Sequence, residues 1–226
     1  MSKLMRLADA IAPIPDGASI MVGGFGSPGT PFTLLAELLR QRKRDLTIIK
    51  NDANQDGYGV SRLIEAGVVS RLLTTHLGLS GPARRAHLAG TLQVEFFSQG
   101  LFAERIRCAG VGLAGVVTDI ELPPELGASR ETVTVAGRTL FFEPALRADF
   151  ALLCADRADP YGNLGYRGAA RNFSPLMAMA ADRVLVETRA LGDAPLAPDS
   201  IHTPGIHVHG LIPIDGDLDE YRPILR

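Results

Sequence analysis

Chemistry is most readily carried by Gly23-Gly24-Phe25-Gly26-Ser27-Pro28-Gly29-Thr30-Pro31, which puts four glycines in seven residues directly after the apolar run Ile20-Met21-Val22. Glycine accepts positive φ and leaves its amides uncovered, so a carbonyl or an anion can approach such a backbone closely. Read as G-x-G-x-x-G, Gly24 to Gly29 also fits a dinucleotide fingerprint, with Asp52 standing where a ribose-binding acid would. A nicotinamide-dependent dehydrogenase is therefore the alternative function. Pro31 argues against it. A proline at the first helical position places Gly29 ahead of the helix, whereas the third glycine of the fingerprint lies inside it.

The other candidates sit where further apolar runs end: Asn51-Asp52-Ala53-Asn54, His76-Leu77-Gly78, and Ser98-Gln99-Gly100. Gln99 and Asn51 offer amide groups and, with the backbone around Gly24 and Gly26, are candidate donors to a developing oxyanion. Ser27 and Ser80 lack the flanking glycines of a nucleophile elbow, since Phe25 lies two before the first and Pro82 two after the second. His202, His207 and His209 have no cysteine or well-placed acid to complete a metal set, so no metal site is expected. Asp215, Asp217 and Asp219 lack the later glutamate of a calcium loop and read as a polar tail. Cys108 and Cys154 read as small buried hydrophobes.

These positions fall at the ends of strands in an α/β chain. Short β-rich runs at Ile20–Val22, Leu46–Ile49, Arg71–Thr75, Leu92–Phe97, Phe150–Cys154 and Val184–Glu187 alternate with helical segments at Pro31–Arg40, Ser61–Ala66, Pro82–Ala89, Leu101–Ala109 and about 175–181. Thr30 is the expected N-cap and Pro31 the first residue of the helix after the glycine segment. The alternation predicts an open, mainly parallel sheet with helices on both faces. Thr132–Val135 and Thr139–Phe142 around Ala136-Gly137 predict a small inserted β-hairpin after the Pro123-Pro124 break. In open parallel sheets ligands bind beyond the carboxyl ends of the strands, which selects the four segments named above as one rim.

Composition excludes several classes. Lysine plus arginine number 23 against 25 acidic residues, a formal charge of -2, so neither nucleic acid nor an anionic membrane is an expected partner. Two cysteines 46 positions apart support no disulfide framework. The first residues carry no apolar stretch of signal-peptide length and no eighteen apolar residues run together, so a cytoplasmic protein is expected. Without repeats or a low-complexity linker, residues 1–226 are expected to form a single domain.

The segment from Asp16 to Pro31 resembles the glycine-rich signature of the A (alpha) chain of class I 3-oxoacid and acetate CoA-transferases. The similarity continues through Asn51-Asp52, Thr75-His76-Leu77-Gly78, Gln99-Gly100, Ala103 to Arg107, Leu146 to Asp149, Gly162-Asn163-Leu164, Ala170 to Phe173 and His202 to Ile206, nearly the whole chain. It departs at Thr118-Asp119-Ile120-Glu121-Leu122 and through the hairpin that follows. The resemblance implies an α/β/α CoA-transferase fold and an alpha subunit that acts with a B (beta) subunit, in a hetero-oligomer of A2B2 type or larger. The B subunit's glutamate attacks the acyl-CoA thioester, giving an acyl anhydride and CoA thiolate. The thiolate then forms a glutamyl-CoA thioester, from which CoA passes to the acceptor acid. No Ser-Glu-Asn-Gly segment occurs in this chain, so the nucleophile is expected on the partner and the lone chain to be inactive. Substrates would be acyl-CoA and a short carboxylic or 3-oxo acid, of the acetate, acetoacetate, butyrate and succinate kind, in acyl-CoA, fatty acid and ketone body metabolism, with no permanently bound cofactor. Implied site residues are Gln99 as catalytic support and Gly23, Gly24, Phe25, Gly26, Gly29, Asn51, Asp52 and Gly100 for binding. A sugar-phosphate isomerase of related fold and a CoA-holding chain without catalytic role remain as further alternatives.

Overall fold

The computed structural model describes residues 3–120 and 130–214. Strands β1 (Ser19–Val22), β2 (Leu46–Ile49), β3 (Val69–Thr74), β4 (Gln93–Phe96), β8 (Ala148–Ala155), β11 (Ala181–Thr188) and β12 (Gly210–Pro213) form one sheet in the order β12-β11-β8-β1-β2-β3-β4. Every neighbouring pair in it is parallel. Because a pleated strand turns alternate side chains to opposite faces, Ile20 and Val22 enter one core while Met21 enters the other. The first core is closed by α1 (Leu7–Ile11), α2 (Phe32–Arg40), α3 (Gly59–Glu65) and α4 (Gly81–Leu88), which contribute Ile11, Leu35, Leu63 and Ala83. The second is closed by α5 (Gln99–Gly110) and α6 (Ser174–Ala180), which bring Phe102, Ile106 and Met177. The α/β class expected from the alternation of elements is the class observed.

The chain enters the sheet at its middle. From β1 it winds outward through β2, β3 and β4, then returns to place β8 on the other flank of β1, where Ile20 pairs with Phe150 and Met21 with Ala151. The order of strands therefore reverses between β1 and β8, and the loop after β1 opens at that switch point, where open parallel sheets bind ligands.

Several details differ from expectation. The hairpin is there, as β6 (Glu131–Val135) and β7 (Arg138–Pro144) around Ala136 and Gly137, both at positive φ. A third strand, β5 (Gly115–Thr118), joins it against β7. Helix α5 begins two residues earlier than the apolar pattern indicates. Gln99 and Gly100 thus occupy its first turn instead of a loop, because the periodicity registers only from Leu101. The short β9 (Arg157–Ala158) and β10 (Leu164–Gly165) and the edge strand β12 carry too few alternating residues to announce themselves. The residues after Ile214, together with Glu121, Leu122 and Pro123-Pro124, lie outside the described residues.

Candidate active site rim

The loop from Gly23 to Thr30 turns three times through the left-handed region, at Gly24 (φ 96°), Gly26 (φ 61°) and Gly29 (φ 76°). Two of these positions also have no room for a side chain. A Cβ on Gly24 would lie 2.5 Å from Thr30 Oγ1 and 2.6 Å from its amide nitrogen, and one on Gly29 would lie 2.6 Å from the Ala170 carbonyl. The glycines thus serve a doubled-back loop wedged against the segment before α6, more than a single turn requires. Inside it, the Phe25 amide donates to the Pro28 carbonyl at 3.1 Å and the Thr30 amide to the Ser27 carbonyl at 3.1 Å.

Helix α2 starts at Phe32, with Pro31 at the N-cap position. The expected cap, Thr30, is engaged elsewhere: its hydroxyl donates to the Gly26 carbonyl at 2.7 Å. Proline has no side-chain acceptor to offer, and the need is met across the sheet by Glu187, whose Oε2 accepts from the Leu34 amide at 3.0 Å. Glu187 is fully buried on β11. Burial pushes its carboxyl up to about 8 against the opposing pull of the α2 amides. Gly29 still precedes the helix, so the packing role of a third fingerprint glycine is not available to it.

Beneath the loop lies a closed polar network. Lys50, with none of its surface exposed, places Nζ 3.1 Å from Asp52 Oδ2, 3.3 Å from the Gly24 carbonyl and 3.4 Å from the Gly26 carbonyl. Asp52 accepts from the Gly26 amide at 2.7 Å through Oδ2 and from the Asn54 amide at 2.6 Å through Oδ1. Asn54 Nδ2 donates back to the Gly26 carbonyl at 2.7 Å. Burial opposes ionisation of Asp52, but the Lys50 ammonium and the two amides outweigh it and hold the carboxyl below its ordinary range. Burial lowers Lys50, and Asp52 opposes that drop. An aspartate so engaged has no spare geometry for a ribose diol.

Asn51 is buried beside this pair; its Nδ2 has no hydrogen-bond partner among the described residues, and Oδ1 lies 3.5 Å from Lys50 Nζ. Its backbone carbonyl accepts from both the Thr75 amide and the Thr75 hydroxyl, which ties the rims of β2 and β3 together. Phe25 is 47% exposed at the crest of the loop and stacks on Phe173. Phe173 meets Phe102 edge-on, and Phe102 packs on Phe97. This aromatic row links the glycine loop to the first turn of α5, where Gln99 and Gly100 are exposed. The structure thus gathers Gly23, Gly24, Phe25, Gly26, Gly29, Asn51 and Asp52 into one assembly and sets Gln99 and Gly100 at its far end.

Lys50 and Glu187 have no role in the sequence pattern, and Asn54 enters it only as the last residue of the Asn51–Asn54 rim segment, yet all three hold the site. A lysine directly after the apolar Leu46–Ile49 and a glutamate closing Val184–Val186 were the available signals, since a charge adjoining a buried strand requires a partner. Elsewhere, polar groups serve the scaffold. Ser80 caps α4 through the Ala83 amide at 3.1 Å. The Nδ1 atoms of His202 and His209 accept from the Tyr166 and Val184 amides. Both cysteines are buried.

A parallel sheet with a pinned glycine loop at its switch point defines an α/β protein with a ligand-binding rim, and comparison with known proteins makes the class specific. Residues 4–212 match the model of the coenzyme A transferase family, and the chain belongs to that family. It is 42% identical over 212 residues to the alpha subunit of acetate CoA-transferase from Escherichia coli, covering 93% of this chain and 96% of that one. It is 40% identical over 216 residues to the alpha subunit of a probable coenzyme A transferase from Bacillus subtilis, covering 95% and 94%. Among solved structures, a variant of the decarboxylase AibA/AibB superposes with a TM-score of 0.81 at 29% identity over 95% of this chain and 84% of that one. The CoA-transferase alpha subunit expected from the glycine signature is the class found, and nothing in these relatives favours a dehydrogenase. No helix among the described residues is long and apolar enough to cross a membrane.

Proposed function

We propose that this chain is the alpha subunit of an enzyme that moves CoA between an acyl-CoA and a short carboxylic or 3-oxo acid, and that it works with a B subunit carrying the glutamate nucleophile. The observation that carries the reading is the loop at the β1/β8 switch point, held in a shape that leaves the amides of Gly24, Ser27 and Gly29 without a hydrogen-bond acceptor among the described residues. Attack of a carboxylate on a thioester gathers negative charge on the carbonyl oxygen, and donors fixed in advance lower that barrier by about 3 to 4 kcal/mol each. Gln99 at the start of α5 and the unpartnered Asn51 amide supply side-chain donors on the same rim, and exposed Phe25 supplies an apolar surface for the acyl-CoA. The acid class follows from the alpha subunit of the acetate enzyme, and the partner from the division of such relatives into subunits. An A2B2 assembly in the cytoplasm fits this reading, with acyl-CoA as a substrate and no resident cofactor.

The test is reconstitution with the B chain and assay of acetoacetyl-CoA consumption with acetate, butyrate or succinate. Transfer is expected with at least one acid from the complex and none from the lone chain; a complex inert toward all of them refutes the proposal. The likeness to a decarboxylase favours a second reading, which the same assay separates by detecting carbon dioxide release without an acceptor acid.

A further inference from the structure

The network under the glycine loop determines which of its amides can face a ligand. The Gly26 amide is occupied by Asp52 Oδ2 at 2.7 Å, which removes it as a donor. The Gly26 carbonyl accepts from Thr30 Oγ1 at 2.7 Å, Asn54 Nδ2 at 2.7 Å and Lys50 Nζ at 3.4 Å. Those three side chains belong to residues at most 1% exposed, so this carbonyl points into the protein. In a planar trans peptide the following N–H is antiparallel to the carbonyl. The Ser27 N–H is therefore turned outward, from a half-buried residue, and meets no acceptor among the described residues. The Gly24 carbonyl, two residues back, is held inward by the same ammonium at 3.3 Å, but the Phe25 N–H of that peptide is already spent on Pro28.

A buried Lys–Asp pair is a costly way to fill space, since apolar residues of similar volume are often as stable or more so. Here the pair does something that apolar residues cannot: it grips both ends of the Gly26 residue and fixes the plane of the peptide that follows. We propose that the outward Ser27 N–H is the glycine loop's donor to the acyl thioester oxygen, and that Lys50 is the positioning residue that aims it. This inference rests on the transferase reading and names the atom that performs the loop's share of it.

The test uses the complex reconstituted with the B subunit. Lys50→Met keeps an apolar stem of similar length and removes the ammonium; it is expected to lower kcat about tenfold or more with KM for acyl-CoA changed by less than about threefold, the signature of a contact made in the transition state. Selective 15N labelling of serine in this chain reads the amide directly: in the wild-type complex the Ser27 amide proton should move downfield on saturation with acyl-CoA. A Ser27 amide indifferent to acyl-CoA, or a Lys50→Met complex with wild-type kcat, overturns the proposal. The amide measurement does not depend on the variant's folding or on turnover. A wild-type complex that shifts Ser27 yet transfers CoA to no acid instead defeats the transferase reading alone.

Discussion

Asp52→Asn leaves the Lys50 ammonium buried without its counter-charge, and the consequence can be worked from the geometry. The two groups are 3.1 Å apart, with side chains 0% and 2% exposed. At an effective dielectric of about 20, two unit charges at that separation attract by about 5 kcal/mol, and breaking buried pairs by removing one partner costs about 3 to 5 kcal/mol. The loss is expected to be about 3 kcal/mol or more at pH 7. Its sign with pH follows. Burial already lowers Lys50 below its ordinary value, and removing Asp52 lowers it further. Between the folded and unfolded values of a lowered lysine the unfolded chain binds more protons, so stability rises with pH, and in the variant this rise begins at lower pH. The deficit against wild type should therefore be largest at neutral pH and below and shrink as pH is raised. Urea unfolding followed by circular dichroism between about pH 6 and 9 measures it. Combining Asp52→Asn with Lys50→Met removes the stranded charge and should cost less than the sum of the single changes. A loss below about 1 kcal/mol, or one that does not vary with pH, refutes the account of the pair as a charged clamp.

Glu187→Ala removes the acceptor for the start of α2 and should cost about 1 to 2 kcal/mol in the same assay. Glu187→Gln keeps an acceptor but cannot titrate; with the folded carboxyl raised to about 8, wild-type stability from this group is full below the unfolded carboxyl range and lost as pH rises through about 8. The glutamine variant should flatten that slope, and an unchanged slope contradicts the assignment. Gly24→Ala forces a side chain into φ 96° and onto Thr30, so a fall in melting temperature with loss of transfer by the reconstituted complex is expected. Gln99→Ala, on an exposed first turn, should leave the melting temperature unchanged while lowering kcat about tenfold; unchanged turnover would indicate a chain that only holds CoA.

The larger architecture was legible because its signals are local and periodic. Ile20–Val22, Leu46–Ile49 and Phe150–Cys154 read as buried strands, and each is one. The glycine loop was legible because few residues other than glycine tolerate its three left-handed turns. What could not be read was who partners whom across distance. Thr30 has the chemistry of an N-cap, yet a carbonyl four residues back competed for its hydroxyl, and the cap came from a residue 153 positions away from Leu34. Asp52 has the chemistry of a ligand-binding acid, but its neighbour two residues earlier is a lysine folded under the loop, and the pair satisfies itself. Gln99 was located correctly at the end of a strand but given the wrong local structure, because a helix's first turn needs no apolar residue to begin.

The capping of α2 by Glu187 and the pairing of β1 with β8 also bear on how the chain comes into being on the ribosome. Until synthesis reaches Ala148, β1 has β2 on one flank and nothing on the other, since its second neighbour starts there. The helix that closes the glycine loop waits longer still, for a carboxylate at position 187. The site-forming segment is thus synthesised before the strand and the carboxylate that complete it. What waits is the capping of α2 and not its packing, since Leu34, Leu35 and Leu38 share a core with Ile20, Ile48 and Leu72.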